Sequence, residues 1–358
     1  MAVVLDGPTV RELRPRAAAD GPAEPGLLLP GLVDAHLHLE LGWAAGLVPG
    51  GEGLGPWVRR LLRLPRPDAP PLDATPLVEA GTAVVCDIAN GGHTAEALDA
   101  AGLAGVVQHE LLGMRRAGLD ERLALAERPD RRVGRLWVRP SPHAVYSTPE
   151  PLLRAAARPG AAPASIHLAE DPAEAQLLRD GTGPLADSMD AAGIDWRWWT
   201  PPGCTPAAWL DRLGLLGPDL LLVHAVHLTD DDRARIAAAG APVCLCPRSN
   251  LHIGGVLPDV AALRAAGVAL CLGTDSLASS PDLDVLGEIP PLARANPDVP
   301  VASWLALATS GGADALRRPR YGRLLAGTAP GVVRLAVGDP GEVTEAPPAR
   351  RWEVRPWE

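Results

Sequence analysis

Short apolar segments alternate with helix-like segments along most of this chain of 358 residues. Continuously apolar strands separated by helices are typical of a parallel sheet that helices cover on both faces. Eight such units predict an α/β fold, a closed (β/α)8 TIM barrel, whose active site lies beyond the C-terminal ends of its strands. The predicted strands are a run within 28–41 that ends at His36 and His38, followed by 82–88, 105–112, 135–140, 164–168, 220–224, 242–246 and 268–272.

The barrel is predicted to occupy residues 27–327, because barrel folds of this length form one unit. Residues 1–26 contain one short apolar run and a connection rich in Ala, Pro and Gly, and residues 328–358 form a Pro- and Arg-rich tail. Each terminus is too short for a separate domain. We therefore expect the termini to form a small, reduced β domain, in which 331–337 is a candidate partner of the N-terminal strand.

Polar side chains stand where the predicted strands end. His36 and His38 are two residues apart, so both imidazoles point to the same side of their strand and can reach one metal ion. A polar residue that ends a core strand needs a reason to be there, and the mouth of a barrel supplies one. Several metal-binding side chains at the ends of different strands together predict a metal site at the barrel mouth. The later strand ends carry His143, His167, Glu170, His224, His227 and Asp275.

Three imidazoles and a carboxylate suit a divalent ion such as zinc or iron(II) and leave one position for water, whose pKa the ion lowers to about 7. Asp275 is placed both to bind the metal and to take a proton from that water. Glu170 follows His167 by three residues, so it belongs to the loop above the strand and can deliver a proton to a substrate. His224 is a candidate to hold the attacking water or to shuttle a proton. His227 is interpreted as structural, because it shares the side of His224 only if the strand turns there.

The composition limits the partners of the protein. The formal net charge of −10 opposes binding to the phosphate backbone of a nucleic acid, so a small-molecule substrate is expected. No apolar run approaches the roughly 20 residues that cross a membrane, and the N-terminus lacks the basic and apolar regions of a signal peptide. A cytoplasmic protein is therefore expected, and a homodimer is compatible with the sequence.

Two residue types narrow the metal chemistry further. The five cysteines fall mostly inside apolar strand-like runs, where a reduced cysteine behaves as a small core residue. Cys244 and Cys246 resemble half of a zinc clip, but the chain has no second pair at zinc-finger spacing. The sequence contains no lysine, so a metal centre bridged by a carboxylated lysine is excluded.

Tryptophans occur in two segments that could contact a substrate. A glycine-rich loop at 42–55 leads into an amphipathic helix at 56–63, where Trp57 either faces a substrate ring or packs against the protein. An extra segment at 187–215 contains four more tryptophans, which either form a wall against an aromatic substrate or pack the insertion itself.

Five segments together resemble the amidohydrolase superfamily, in its mononuclear aminohydrolase and chlorohydrolase branch. They span the first to the eighth predicted strand and comprise 30–38, 166–170, 223–228, 246–251 and 273–276. The resemblance implies that Glu170 and His224 act as acid–base residues. It also implies one divalent metal ion, with zinc as the first choice, bound by His36, His38, His167 and Asp275.

Within that branch, 38–41, 140–147 and 246–250 resemble deaminases of adenine nucleosides, most closely the aminofutalosine deaminases of menaquinone biosynthesis. This resemblance implies that His143 contacts the substrate ribose. Glu40, within 38–41, and Trp57, in the helix after the glycine-rich loop, are further candidates for substrate binding. Arg248 is implied either as the partner of a substrate carboxylate or as a residue that pins its own loop. Two departures from the family concern the small β domain: the short region before the first strand, and Ala329-Pro330 where relatives usually have Ala-Asp.

The resulting hypothesis is a metal-dependent hydrolase that deaminates an adenine nucleoside of the aminofutalosine type and releases ammonia. Other amidohydrolase activities fit the same scaffold, because a fold does not fix a substrate. They are deamination of methylthioadenosine or S-adenosylhomocysteine, chlorohydrolysis of a triazine, and hydrolysis of an amide. A barrel that binds a metabolite without turnover is the remaining alternative. Such a protein is expected to have lost a metal ligand or Glu170, and the sequence retains them all.

Overall fold

The computed structural model describes residues 1–90 and 93–356, so the last two residues of the predicted segment 328–358 lie outside this range. None of the described helices is long and apolar enough to cross a membrane. The strands in chain order are β1 (Ala2–Asp6), β2 (Thr9–Arg14), β3 (Leu27–Pro30), β4 (Leu32–Leu37), β5 (Thr82–Ala89), β6 (Ala104–Leu111), β7 (Arg131–Val133), β8 (Leu136–Pro142), β9 (Ala164–Leu168), β10 (Leu220–His224), β11 (Val243–Leu245), β12 (Leu270–Leu272), β13 (Val332–Leu335) and β14 (Arg350–Val354). The α-helices are α1 (Leu54–Leu61), α2 (Thr75–Glu79), α3 (Thr94–Ala100), α4 (Leu119–Ala126), α5 (Glu150–Ala156), α6 (Pro172–Asp180), α7 (Pro184–Ala191), α8 (Pro206–Arg212), α9 (Asp230–Ala239), α10 (Pro247–Ile253), α11 (Val260–Ala265), α12 (Ile289–Ala295), α13 (Val301–Ala306) and α14 (Gly312–Ala315).

Parallel strands form a closed barrel from two halves. The first half contains β4, β5, β6 and β8, and the second contains β9, β10, β11 and β12. Two isolated bridges join the halves: Ala144 pairs with His167 at one seam, and Leu37 pairs with Asp275 at the other. The predicted TIM barrel is therefore confirmed.

Backbone hydrogen bonds at both seams run through predicted site residues. At the first seam, the N–H of His167 donates to the carbonyl oxygen of His143 at 2.8 Å. At the second, the N–H of Asp275 donates to the carbonyl oxygen of His36 at 3.0 Å. Closing the barrel therefore brings side chains from both halves to one mouth.

The barrel strands are buried on both sides, which explains why their sequences are continuously apolar. Every residue of β5 is buried, since one side of such a strand faces the barrel interior and the other faces the helices. The cysteines follow the same pattern. Four of the five are buried and all five are free thiols, as expected for reduced core residues.

A three-stranded antiparallel sheet outside the barrel joins the two ends of the chain. β13 lies between β3 and β14, whereas β1 and β2 form a separate hairpin. The run that ends at His38, predicted as one strand, is therefore two strands, β3 in the small sheet and β4 in the barrel. The break falls at Gly31, where a Cβ would lie 2.5 Å from that of Ala83 and 2.6 Å from the carbonyl oxygen of Pro330. The partner of 331–337 is accordingly β3 and not the first strand of the chain.

Tryptophans of the segment 187–215 pack the insertion. Trp196 and Trp199 are buried in the main apolar core. The indole N–H of Trp196 donates to Asp190, and that of Trp198 donates to the carbonyl oxygen of Met114, both at 2.8 Å. The second bond ties the insertion to the loop that follows β6. These contacts match the packing role that the sequence left open for this segment.

Candidate metal centre and active site

His36, His38 and Asp275 meet at the seam between β4 and β12. His36 is fully buried within β4, and His38 follows the strand and is 9% exposed. Their Nε2 atoms lie 3.9 and 3.6 Å from Oδ1 of Asp275. One donor atom of each of the three side chains lies within 4.8 Å of the other two. These distances suit a set of side chains that share one ion.

His167 and His224 reach the same place from the other half of the barrel. His167 lies in β9, and His224 is the last residue of β10. The His167 ring centroid is 4.9 Å from that of His36 and 5.4 Å from that of His224. Donor atoms of these three histidines also lie within 4.8 Å of one another. The structure thus brings together the four predicted metal ligands, and it adds His224, predicted as an acid–base residue, as a further potential donor.

The surroundings of His36 test whether a metal ion fits this cluster. Both ring nitrogens of His36 are buried and have no hydrogen-bond partner among the described residues, although buried polar groups are nearly always paired. Burial and the neighbouring imidazoles lower the pKa of His36 well below its usual value. Burial also lowers the pKa of His38 and of His224 to about 3. Neutral imidazoles offer the lone pairs that zinc or iron(II) requires, so the donor set fits a divalent ion.

Neighbouring polar groups orient these donors, as metal ligands require. Nδ1 of His167 lies 2.8 Å from the carbonyl oxygen of His143, which makes Nδ1 the protonated nitrogen and leaves Nε2 as the donor. Oδ2 of Asp275 accepts hydrogen bonds from the hydroxyls of Ser249 (2.5 Å) and Ser279 (3.2 Å). Oδ1 of Asp275 is therefore the oxygen turned to the histidines. Sequence reasoning missed both serines, although Ser249 lies inside the segment 246–251.

Four residues at the ends of strands, among them Ala225 (φ +53°), have backbone conformations that are uncommon outside glycine. In the other three the φ angle is +51° at Ala169, +74° at His224 and +61° at Asp275. Such conformations cost roughly 1–3 kcal/mol each and are concentrated at functional sites, where the surrounding structure imposes them. Here the chain turns away from the strand direction, and donor atoms of Glu170, His224 and Asp275 come within 4.8 Å of one another.

Glu170 lies in the loop after β9, directly beside the histidine cluster. Its Oε2 is 3.6 Å from Nε2 of His224, and its side chain is 8% exposed. Burial and the nearby carboxylate of Asp275 raise the pKa of Glu170 well above its usual value. This shift favours the protonated form of the side chain. A protonated carboxyl group in this position can donate a proton to a bound molecule.

Glu174 and Asp171 hold the loop that carries Glu170. The Glu174 carboxylate accepts the backbone N–H groups of Ala169 (3.0 Å), Glu170 (2.7 Å) and Asp171 (3.3 Å). The Asp171 carboxylate accepts the N–H of Leu54 at the start of α1, at 2.8 Å. The loop is thus attached to α6, which contains Glu174, and to α1.

His143 and Glu110 extend the polar lining of the mouth towards β8 and β6. The His143 ring centroid is 4.8 Å from that of His167, and burial lowers the pKa of His143 to about 4. Glu110 lies in β6, is 6% exposed, and has a carboxylate oxygen within 4.8 Å of ring nitrogens of His143 and His167. Sequence reasoning missed Glu110, although it too is a charged residue near the end of an apolar strand.

Arg248 is engaged by groups near its own loop. Its Nε donates to Glu288 at 2.5 Å, one terminal nitrogen donates to Asp282 at 2.8 Å, and the other donates to the carbonyl oxygen of Asp284 at 2.9 Å. Each guanidinium nitrogen therefore already has an acceptor. Of the two roles predicted for Arg248, this geometry matches the pinning of the loop.

Trp57 and Glu40 also have partners within the protein. Trp57 is 7% exposed and packs in an apolar cluster that includes Ile253. The Glu40 carboxylate accepts the N–H of Asn90 at 2.7 Å and lies 3.6 Å from the guanidinium of Arg66. The contacts of Trp57 and Glu40 with a substrate stay predictions.

The amidohydrolase family matches residues 27–345, a range that contains every barrel strand and the whole histidine cluster. The chain belongs to this family. The predicted resemblance to amidohydrolases is therefore confirmed. The part of this amidohydrolase outside the match consists mainly of the β1–β2 hairpin and the β14 end of the small sheet.

Two relatives and one solved structure narrow the comparison. The aminodeoxyfutalosine deaminase of Deinococcus radiodurans is 33% identical over 288 residues, which cover 74% of this chain and 67% of that protein. A 5-methylthioadenosine/S-adenosylhomocysteine deaminase of Halobacterium salinarum is 29% identical over 316 residues, 81% of this chain and 68% of that protein. The Helicobacter pylori aminofutalosine deaminase, solved with methylthio-coformycin, superposes with a TM-score of 0.79 at 17% identity and covers 99% of this chain and 94% of its own. The family and these relatives support the predicted class of this amidohydrolase, a hydrolytic deaminase acting on C–N bonds.

Proposed function

We propose that this amidohydrolase deaminates an adenine nucleoside with a bulky, carboxylated 5′ substituent, such as aminofutalosine, and releases ammonia. The observation that carries the proposal is the buried carboxyl group of Glu170, 3.6 Å from His224 and beside a five-residue donor cluster. The Deinococcus relative supports the choice of substrate class. The pathway proposed for the enzyme is menaquinone biosynthesis, the pathway of the deaminases that it resembles.

The metal site is assigned to His36, His38, His167 and Asp275, with one zinc or iron(II) ion per chain. A divalent ion bound there supplies a water molecule of lowered pKa, and so a nucleophile near neutral pH. The support for this assignment is the pair of unpartnered nitrogens of His36 among the described residues, together with the neutral state of the neighbouring imidazoles.

The protein's own side chains move the protons of the reaction. Asp275 takes a proton from the attacking water, because its Oδ2 is fixed by Ser249 and Ser279 and its Oδ1 is turned to the histidines. Glu170 gives its proton to the ring nitrogen next to the carbon that bears the amine. Water oxygen bonds to that carbon, the C–N bond breaks, and the amine leaves as ammonia with the proton that Asp275 took up. The proton of the new hydroxyl group passes to Glu170, so both carboxyl groups return to their starting states. Neutral His224 faces Glu170 and orients the water.

Deamination of methylthioadenosine or S-adenosylhomocysteine is the second candidate function. The Halobacterium relative favours it, and the engagement of Arg248 by Glu288 and Asp282 removes one argument for a carboxylated substrate. The two candidates share the chemistry of the ring and differ only in the group attached to the 5′ carbon. Substrate comparison therefore separates them.

The test is ammonia release and the ultraviolet change of the purine, measured with aminofutalosine, methylthioadenosine and adenosine. The proposal predicts that kcat/KM for aminofutalosine exceeds that for adenosine by a factor on the order of 10² or more, because binding of the remote substituent lowers the barrier. A higher value for methylthioadenosine selects the second candidate. Release of halide or amine from a triazine, without ammonia from any nucleoside, contradicts both.

Removal of the metal ion is expected to lower the melting temperature by roughly 5 °C or more. A ligand that binds only the folded state stabilises it by about 3–4 kcal/mol when present at 100 to 1,000 times its Kd, and about 1 kcal/mol shifts the melting temperature of a large domain by 2–4 °C. His167 and Asp275 also bridge the two seams of the barrel. Calorimetry before chelation, after it, and after return of zinc measures the effect. An unchanged melting temperature in protein shown to be metal-free contradicts the assignment.

A further inference from the structure

The carboxylate of Glu110 has an unmet capacity for hydrogen bonds inside the candidate site. Its side chain is 5% exposed, and Oε1 is buried without a hydrogen-bond partner in the described part of the chain. Leaving a buried acceptor unpaired costs about 1–3 kcal/mol. The other oxygen, Oε2, accepts from the side-chain amide of Asn90 at 3.1 Å, which fixes the orientation of the carboxylate. Glu110 is therefore held with one oxygen ready to accept a hydrogen bond.

The neighbouring imidazoles do not satisfy this oxygen. Nδ1 of His167 is 3.8 Å from Oε1 of Glu110, which is too long for a hydrogen bond. That nitrogen lies instead 2.8 Å from the carbonyl oxygen of His143. Nδ1 of His143 is paired with the hydroxyl of Ser147 at 2.6 Å. Neither imidazole therefore supplies the missing donor, and a hydroxyl group of a bound molecule can supply it.

The position of Glu110 around the barrel indicates which part of a nucleoside supplies that donor. β6, which carries Glu110, pairs with β8, and β8 meets β9, the strand that precedes Glu170. With strands about 4.8 Å apart, Glu110 and Glu170 stand on positions separated by two strand spacings, or roughly 10 Å along the wall. The amine-bearing carbon of an adenine nucleoside and its sugar hydroxyls lie at opposite ends of the molecule. A purine ring at Glu170 therefore directs its sugar towards β8 and β6.

We infer that Glu110 binds the 2′ and 3′ hydroxyls of the substrate ribose and so selects ribonucleosides. The inference rests on the proposed function and deepens it. A carboxylate offers two oxygens with about four lone-pair positions, which suits two adjacent hydroxyl donors better than one. The His143 ring, between Glu110 and His167, lines the same path. Glu110 is thus a specificity residue at the sugar end of the site, whereas Glu170 serves the ring.

The experiment compares the wild-type enzyme with Glu110→Ala and Glu110→Gln, each loaded with zinc, on adenosine, 2′-deoxyadenosine and 3′-deoxyadenosine. Glu110→Ala should lower kcat/KM for adenosine by about 10- to 100-fold, mainly through KM, because it removes hydrogen bonds to a charged acceptor. Each deoxynucleoside already lacks one of the two hydroxyls that Glu110 is proposed to bind. The same substitution should therefore change kcat/KM for each of them by less than about 3-fold. Glu110→Gln keeps the bond to Asn90 and should show the same selectivity with a smaller loss.

The matched control is Glu79→Gln, an exposed residue at the end of α2, just before β5 and so at the opposite end of the barrel. It should leave all three rates unchanged. Equal losses on the three nucleosides, or no loss on adenosine, overturn the role of Glu110 and leave the proposed function standing. Absence of ammonia release by the wild-type enzyme from every nucleoside overturns the proposed function and this inference with it.

Discussion

Substitution of His36 by alanine is expected to remove the metal ion and the deaminase activity together. His36 belongs to two of the four donor groups, the one with His38 and Asp275 and the one with His167 and His224. Mutation of a residue that merely supports a metal ligand costs about 10- to 100-fold in metal affinity or activity, so loss of the ligand itself should cost more than about 100-fold. Elemental analysis and ammonia release on the same preparation measure both effects.

His227→Ala is the control for this substitution. His227 follows the same strand as His224, is only partly buried, and belongs to none of the donor groups found among the described residues. The control should keep one equivalent of metal and normal activity. A His36→Ala enzyme that retains both, or a wild-type enzyme that holds two equivalents, contradicts the assigned site.

The Glu170→Gln variant should keep the metal ion but lose turnover by a factor on the order of 10² or more, the usual contribution of a general acid–base group. Glutamine has nearly the same shape as glutamic acid and cannot give up a proton. The hydrogen bond from the backbone N–H of Glu170 to the Glu174 carboxylate does not involve the side chain of residue 170. The loop should therefore stay in place in the variant. The measurement is kcat together with metal content.

Glu79→Gln serves again as the matched control, because it makes the same chemical change at an exposed position. A Glu170→Gln enzyme that works at nearly the wild-type rate assigns the proton transfer to another group. Loss of metal in that variant shows instead that Glu170 is a ligand. Either outcome contradicts the role proposed for Glu170.

The barrel could be predicted from the sequence because the features that indicate its strands are local. Continuous apolar runs reveal strands buried on both faces, and polar residues at their ends reveal the mouth. His36, His38, His167 and Asp275 come together because parallel strands end on one side of the barrel. The ligand set, the residue roles, the domain boundaries, the cytoplasmic location and the assembly stay predictions.

The features that the sequence missed depend on distant parts of the chain. The split at Gly31 arises from the approach of Ala83 and Pro330, and nothing within the apolar run marks it. The partners of Arg248 lie 34 to 40 residues further along, so the pinning of its loop could be offered only as one of two alternatives. Glu110 carried the same local signal as the predicted residues but lay within a segment interpreted only as a strand.

Asp171 connects the loop of Glu170, the proposed proton donor, to the opposite rim of the barrel mouth. It follows Glu170 directly, and its carboxylate accepts the N–H of Leu54. Gly53 permits this contact, because its φ is +84° and a Cβ there would lie 2.9 Å from the Asp171 carboxylate. The same rim is anchored to α10 by the N–H of Gly51, which donates to the carbonyl oxygen of His252 at 2.8 Å. The loop at 51–54 and the peptide next to Glu170 are therefore joined through one side chain, so the position of the proposed proton donor depends on the opposite rim of the mouth.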